Sequence, residues 1–438
     1  MNNFLLSSSE FKSFKTPIAI VGMGITGRSV FRLLQLLQID KKDILTFDYK
    51  DPLAQVHSAQ ELMAHKPRTL IVSPGVPLSS PWICEAKAHG IQISNELTLS
   101  FSFLTTEKVI GITGSVGKST TTSLLGAAAH SFSPDCFVGG NLGTPLAEYI
   151  CDLLASKRAK APWVILELSS YQLENFPNLK CDLAALTYLT PNHMERYENL
   201  QAYYRVKLAL KQKTQGLFVI NANGGDLAKM RDQFNDKNSF WADRNSSILK
   251  EKNILNPALS GDYNLDNIAV AATLTKAAGW PEAAYDALKN FTELTHRLQR
   301  IGEFSGISFI NDSKATTIES VLQAAQTISK QVSNGASLFL LLGGHDKGLP
   351  WERLSVLSQN NQIQPIFFGE FGAQAKKITQ LQGPVYNTLK LALLALPSLV
   401  KKSDVVLLSP GGTSHDEFKN FEQRGDFFKS EVLRLFNK

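Results

Sequence analysis

Lys108-Val109-Ile110-Gly111-Ile112-Thr113-Gly114-Ser115-Val116-Gly117-Lys118-Ser119-Thr120 is an apolar, strand-like run that ends in a glycine-rich turn, with a Lys-Ser pair opening the next segment. The residues that follow, 120–129, are helix formers. Such a turn aims backbone N–H groups inward, adds the charge of Lys118, and offers the Ser119 hydroxyl to a magnesium ion. Gly114, Ser115, Val116, Gly117, Lys118, Ser119 and Thr120 are therefore read as a nucleoside triphosphate site. The full phosphate-loop pattern has a glycine where Ile112 stands, so Gly114-x-x-Gly117-Lys118-Ser119 is what remains of it. The alternative is a tight turn that happens to contain a lysine. The order of strand, turn and helix argues against it.

The 438 residues, 43% of them hydrophobic, can bury more than one core, and three domains is the central expectation. A formal charge of +6, from 45 basic against 39 acidic residues, is spread without a basic block. That excludes an obvious nucleic-acid module and suits an anionic small substrate. Cys84, Cys136, Cys151 and Cys181 show no C-x-x-C spacing and read as reduced thiols of a cytoplasmic protein. The first fifteen residues lack the pattern of an export signal. No apolar run reaches the roughly 18 residues that a membrane span needs. Residues 391–400 read as the buried end of a helix, with Pro397 as its stop.

Outward from the phosphate turn, the chain reads as three α/β units in series. The first opens with a strand at 17–21, then Gly22-Met23-Gly24-Ile25-Thr26-Gly27, a helix over 28–38, and a strand over 44–47 ending at Asp48. This has the shape of a dinucleotide fingerprint, with an acid about 20 residues on. Its pyrophosphate could belong to NAD, FAD or a UDP-sugar, and the glycines could equally serve close packing alone. Further strands are expected at 69–73 and 92–94. The second unit carries the phosphate turn, with strands at 163–166, 183–188 and 217–220, near-continuously apolar as in a covered parallel sheet. Glu167 and His193 lie just beyond two of these strands, where α/β proteins place ligand groups. A helix follows over 267–278. The third unit starts near Glu293, with strands at 307–311, 338–342, 365–368 and 405–408. Polar runs follow the first, second and last of them, suggesting one more binding face.

Lys118 can contact β- and γ-phosphates, while Ser119 and Glu167 can supply oxygens to magnesium. His193 could neutralise phosphate or ligate a second cation, or serve as a structural hydrogen-bonding residue. No Ser/His/Asp or Cys/His nucleophilic arrangement is visible. Transfer of a γ-phosphoryl group to an acceptor, such as a carboxylate, needs no enzymic nucleophile.

Six segments in order sharpen this reading: residues 114–120, Gly139-Gly140-Asn141-Leu142-Gly143, residues 167–174, Asn192-His193-Met194-Glu195-Arg196-Tyr197, Asn311-Asp312-Ser313-Lys314-Ala315-Thr316, and Lys419-Asn420-Phe421-Glu422-Gln423-Arg424-Gly425. Together they closely resemble the Mur ligases of peptidoglycan precursor synthesis, over nearly the whole chain. The resemblance implies an α/β protein of three domains. These are an N-terminal Rossmann-like domain over 1–105 for a UDP-linked precursor, a central P-loop ATPase-like domain over 106–292, and a C-terminal Rossmann-like domain over 293–438 for the incoming amino acid. It displaces NAD from the first glycine turn.

The implied reaction activates the precursor's carboxylate as an acyl phosphate, which the amine of the amino acid attacks. The run 421–425 favours D-glutamate as that amino acid and UDP-N-acetylmuramoyl-L-alanine as the precursor, with ATP and magnesium. By resemblance the catalytic group is Lys118, Glu167, His193 and Lys207. Ser119 and Glu167 would touch one magnesium and His193 the other. Lys207, a solvated helix charge on sequence alone, matches the lysine that the family carbamylates and would become a metal ligand.

Asn264, Asn267, Arg297 and Asp312 would surround the adenine, ribose and phosphates. Thr26 and Asp48 would lie near the UDP portion, Asn141 near the acyl phosphate, and Gln172 near the muramoyl group. Lys314 and Thr316 would belong to the C-terminal site, and Lys347, Ser414 and Phe421 would hold the amino acid. Asn192 stands where an acid is usual, and His415 where an apolar residue is more usual. A monomer is expected, without nucleic-acid or membrane partners. The competing readings are a sibling ligase with another amino acid, a folylpolyglutamate synthase, and a non-catalytic sensor of ATP or the UDP-precursor.

Overall fold

The computed structural model describes residues 14–194, 196–256, 259, 261–292 and 295–437. The extreme N-terminus read for an export signal, Glu195 of the histidine segment, and Glu293 at the expected start of the third unit lie outside the described residues. Sixteen strands form three sheets among the described residues. The first holds β1 (Ile18–Val21), β2 (Ile44–Phe47), β3 (Thr69–Val72) and β4 (Gln92–Ser94), in the order β2-β1-β3-β4. The second holds β5 (Lys108–Thr113), β6 (Phe137–Gly140), β7 (Trp163–Glu167), β8 (Leu183–Leu186), β9 (Phe218–Asn221) and β10 (Ser239–Ala242), in the order β10-β9-β8-β5-β7-β6. The third holds β11 (Gln299–Phe304), β12 (Ile307–Asn311), β13 (Leu338–Gly343), β14 (Ile363–Phe368), β15 (Val385–Tyr386) and β16 (Val405–Gly411), in the order β11-β12-β16-β13-β14-β15.

Every pairing is parallel except that of β11 with β12. The central strands are apolar along their length because both faces are covered. In the third sheet, one face packs against the helix Ile318–Ser329 and Trp351, and the other against Leu389, Leu393, Phe428 and Val432. The chain forms two compact units. The first comprises the residues through Tyr188 with Tyr204–Ile254 and Asn267–Lys289; the second comprises Leu189–Tyr203, Leu255–Asp266 and Asn290 onward.

Several expected bounds shift for identifiable reasons. The helix after the phosphate turn runs Lys118–His130, because Gly117, at φ 86°, already serves as its N-cap. Glu167 closes β7 rather than following it. The helix expected from residue 267 begins at Asp262 and runs to Ala277. Pro365 sits inside β14, not at its first residue. The amide two residues on, at Phe367, bonds to Pro384 O, whereas β15 pairs only with Phe367 and Phe368, so the missing N–H of Pro365 breaks no ladder bond to β15. Pro397 lies within the helix Leu389–Leu399, in its last turn, and does not end it. Four strands escaped the sequence reading: β6, β10, the antiparallel edge strand β11 with its internal Gly302, and the two-residue β15. Among the described residues, no helix is long and apolar enough to cross a membrane.

Within the first unit the layer around β4 is stitched to the second sheet. The Asn95 side chain accepts from Thr98 N (2.7 Å) and donates to the carbonyls of Gln172 and Asn175. Arg32 pairs with Glu148. The buried Glu96 carboxylate accepts from Ala147 N at 2.6 Å, in the first turn of the helix Leu146–Leu154, and from Ser100 Oγ at 3.2 Å. Burial outweighs both bonds and pushes the Glu96 carboxyl up to about 7 from an ordinary 4.5. Its stabilising contribution is therefore complete below the unfolded value and is lost as pH rises through about 7. Glu96→Gln keeps the accepting oxygen without the charge. The stability gained by this variant over the parent should grow between pH 4.5 and pH 8, measured by denaturant unfolding at both ends. A pH-independent difference would refute the assignment.

Candidate active site

The phosphate turn leaves the C-terminal end of β5, the strand flanked by β7 and β8 in the second sheet. At Gly114 (φ 154°) an added Cβ would lie 2.2 Å from Thr187 Oγ1 and 3.0 Å from Tyr188 N, so only glycine fits. Thr187 Oγ1 donates to Val116 O at 2.5 Å, and Ser115 N donates to Tyr188 O at 2.6 Å. The turn is thereby bound to the segment after β8. Lys118 Nζ reaches back to Ser115 O at 3.1 Å. Ser119 and Thr120 are buried in the first helical turn, where amide groups favour an anion.

Lys207 is not a solvated helix charge. It is fully buried, and its Nζ donates to Gly114 O at 2.9 Å. Desolvation drives its pKa well below the ordinary lysine value; the nearby Lys118 charge adds to this and Glu167 opposes it. The helical period held a signal, since Tyr203, Tyr204, Lys207 and Leu210 share the buried side of the helix Leu200–Gln212.

Glu167 is buried, and its Oε1 accepts from Asn141 Nδ2 at 2.6 Å, while Asn141 N donates to Glu167 O at 2.8 Å. Gly140 (φ 94°) allows this approach, because a Cβ there would lie 2.5 Å from Glu167 O. The first unit thus gathers Lys118, Ser119, Glu167, Asn141 and Lys207. Thr121 Oγ1 donates to Asn267 Oδ1 at 3.4 Å, and the buried Asn267 Nδ2 and Thr120 Oγ1 have no partner among the described residues. Ser119 and Glu167 offer oxygens only, and no group of three His, Cys, Asp or Glu side chains that could hold a metal exists among the described residues. Such a donor set fits magnesium held jointly by protein and phosphate oxygens, with water completing the shell.

In the same unit, Asp48 Oδ2 accepts from Met23 N at 2.8 Å, and Oδ1 accepts from Lys50 N and Asp51 N. Burial acts to raise the Asp48 carboxyl, but these three amides together hold it below the usual value. Asp48 thus braces the first glycine turn, where Thr26 is half-buried. A Cβ at Gly27 would meet Gly22 O at 2.0 Å, so this glycine serves close packing. Gln172 Oε1 accepts from Ser169 N and Oγ in a capping box.

The second unit holds His193, Asn264, Arg297, Asp312 and the expected amino-acid group. His193 (φ 58°) is half-buried; its amide donates to Asn192 Oδ1 at 3.0 Å, and its ring centroid lies 6.3 Å from that of Tyr203. Asn264 is buried near the start of its helix. Asp312 accepts from Ser409 Oγ (2.9 Å) and Leu298 N (3.2 Å). Burial pushes the Asp312 carboxyl up to about 7, against the pull of Arg297 and these two donors.

Lys314 Nζ lies 5.0 Å over the Phe421 ring. Thr316 is half-buried, just before the Thr317 cap of the helix Ile318–Ser329. Lys347 follows Asp346, whose carboxylate accepts from Trp351 Nε1 at 2.7 Å and from the amides of Gly348 and Leu349. Ser414 is buried in the turn after β16. The sequence reading gave no role to Thr187, His296, Ser313 or Arg424. For Arg424 a signal existed, because it shares an i, i+4 stripe with the buried Phe428, Val432 and Phe436.

A strand–turn–helix phosphate turn with a buried lysine beneath it, in an α/β chain of three sheets, is the architecture of a nucleotide-binding protein. Residues 112–275 match the model of the Mur ligase middle domain. The chain is 33% identical to the UDP-N-acetylmuramoylalanine–D-glutamate ligase of Saccharophagus degradans, over 96% of this chain and 98% of that one. The MurF ligase of Acinetobacter baumannii matches with a TM-score of 0.60 at 16% identity, over 93% of this chain and 98% of that one. The UDP-N-acetylmuramate–alanine ligase of Thermotoga maritima matches with 0.59 at 16%, over 95% and 100%. These two structures speak to the fold alone. The chain belongs to the Mur ligase family. It is an ATP-dependent, amide-bond-forming ligase of peptidoglycan precursor synthesis.

Gly114→Ala should distort the turn by about 2–3 kcal/mol, and so weaken ATP binding roughly 30- to 150-fold. Titration calorimetry with a non-hydrolysable ATP analogue checks this. Parental affinity in the variant would contradict the packing argument.

Proposed function

We propose that the chain joins D-glutamate to UDP-N-acetylmuramoyl-L-alanine, with ATP cleaved to ADP and phosphate. The observation that carries this reading is the likeness, across nearly the full length of both chains, to the ligase of Saccharophagus degradans named for that amino acid. The phosphate turn and its buried surroundings support it. In the proposed sequence, a carboxylate oxygen of the precursor attacks the γ-phosphorus and ADP leaves. The glutamate amine then attacks the acyl carbon, the tetrahedral intermediate collapses, the C–O bond breaks with loss of phosphate, and the amine gives up a proton.

Each group has a stated task. The amides of residues 114–120 and the Lys118 ammonium would hold the phosphates and offset charge that builds on the γ-phosphoryl group. Arg297 would add charge at the same phosphates. Asn264, Asn267 and Asp312 would hold the nucleoside, and Asn141 the acyl phosphate. Thr26 and Asp48 would flank the UDP portion, and Gln172 the muramoyl group. Lys347 would pair with a glutamate carboxylate beside Ser414 and Phe421, with Lys314 and Thr316 completing the C-terminal site. Ser119 and Glu167 would hold one magnesium and His193 a second; bound magnesium would supply charge neutralisation for phosphoryl transfer.

Lys207 is proposed to be carbamylated. A buried amine with a depressed pKa keeps its lone pair, which can attack carbon dioxide; loss of one proton leaves an anionic oxygen ligand. The domains are proposed to span 1–105, 106–292 and 293–438.

Two measurements test this. Phosphate release from ATP should require both the precursor and D-glutamate, fail with L-glutamate, and vanish in Lys118→Ala through loss of charge-assisted contacts. Turnover with another amino acid, or undiminished release from the variant, would overturn the assignment. NMR of protein equilibrated with isotopically labelled bicarbonate should show a carbamate resonance that Lys207→Met removes. Its absence from the parent would reject the carbamate.

A further inference from the structure

Arg424 is fully buried near the start of the helix Phe421–Phe436. Its Nε donates to Ser313 Oγ at 3.0 Å and its Nη2 to Ser313 O at 2.8 Å. Its Nη1 donates to Thr413 O at 3.0 Å, and both terminal nitrogens reach Gly412 O, at 3.2 and 3.3 Å. Among the described residues, every acceptor of this guanidinium is a neutral oxygen. The acids that act on it from a distance are engaged elsewhere: Glu417 on Leu389 N and Asp416 on Glu370 N. A buried charge without a contacting counter-ion is costly, so a fold that only needed to join these turns would do better with a neutral donor.

The turns it joins carry the residues proposed above for the amino acid. Ser313 precedes Lys314 and Thr316, and its Oγ donates to Phe421 O at 2.8 Å. Thr413 precedes Ser414. The loop that carries Lys347 leans on the same group, because a Cβ at Gly344 would lie 2.3 Å from Thr413 O and 3.0 Å from Arg424 Nη1. The second face of the helix start is also fixed. Asn311 Nδ2 donates to Gly425 O at 3.0 Å, and a Cβ at Gly425 would lie 2.2 Å from His296 Nδ1.

We propose that Arg424 is the positioning residue of the amino-acid site. Its planar fork sets the relative placement of the Lys314, Lys347, Ser414 and Phe421 segments. The proposal rests on the assignment of those residues to the amino-acid site. Lysine at 424 would keep the charge but lose the fork, and glutamine would lose the charge but keep a planar donor.

The experiment is steady-state phosphate release by the full chain, comparing the parent with Arg424→Lys, Arg424→Gln and Ser313→Ala. KM is measured for ATP, precursor and amino acid across D-glutamate, L-glutamate, a diamino acid and L-alanine. For Arg424→Lys, KM for the accepted amino acid should rise roughly tenfold, and for Arg424→Gln about a hundredfold, with KM for ATP within about twofold of the parent. Ser313→Ala, which leaves Arg424 in place should the other variants fail to fold, should show a smaller shift in the same KM alone. Equal rises in all three KM values, or an unchanged amino-acid KM in a folded variant, would overturn the proposal and leave Arg424 a purely structural residue. If the parent accepts an amino acid other than D-glutamate, the proposed substrate is wrong, and the Arg424 proposal is judged on the KM of that amino acid. If the parent accepts none, both fall.

Discussion

The first unit is organised around a lysine that has been taken out of water. Lys207 reaches the carbonyl of Gly114 from a helix in the body of the unit, and Gly114 itself has no space for a side chain beside Thr187. The phosphate turn is therefore packed from beneath and clamped at Val116 and Ser115 from the segment after β8. A loop held in this way keeps its amides aimed where phosphate charge will develop, which is what preorganised electrostatic catalysis requires. The same burial strips Lys207 of much of its affinity for a proton, with Lys118 adding to the effect. One residue thus supports the turn and holds its proton less tightly than an ordinary lysine.

The second unit applies a related device in a different chemical form. Arg424 binds two turns through five hydrogen bonds to neutral oxygens, and the loops around it approach so closely that Gly344 and Gly425 must lack side chains. Asp312, at the end of β12, is held by Ser409 and Leu298, with its carboxyl raised by burial to about 7. In both units, buried ionisable groups are held by backbone and hydroxyl partners at the C-terminal ends of parallel strands. That is where α/β folds gather ligand groups, because helix N-termini and loop amides converge there.

Much of this was legible in the sequence, and the reasons can be stated. The apolar runs that became β5, β7, β8 and β13 read clearly because strands covered on both faces carry little polar interruption. The phosphate turn read clearly because its glycines and its Lys-Ser pair sit at a fixed offset from a strand. Short edge strands did not read: β11 contains Gly302 and is only half-buried, and β15 has two residues. Pro365 and Pro397 misled because neither ends its element: Pro365 lies at a stretch of β14 that β15 does not pair with, and Pro397 lies in the last turn of a helix that runs two residues past it. Lys207 and Arg424 were harder for a different reason. Lys207 read as a solvated charge and Arg424 was given no role, while the helical stripe each one shares with buried aromatic and aliphatic residues pointed inward. Asp48 was legible as an acid at the right spacing, but its bracing of the first glycine turn depends on the three amides that fold around it.

The central claim is that ATP is used to activate a carboxylate as an acyl phosphate, not cleaved by water. The most direct measurement is to supply the UDP-precursor with heavy oxygen in its terminal carboxylate and to analyse the phosphate released during ligation by mass spectrometry. The account predicts that one labelled oxygen passes from the carboxylate into the phosphate in each turnover, because the C–O bond breaks when the amine displaces phosphate. Unlabelled phosphate formed together with the amide product would contradict it.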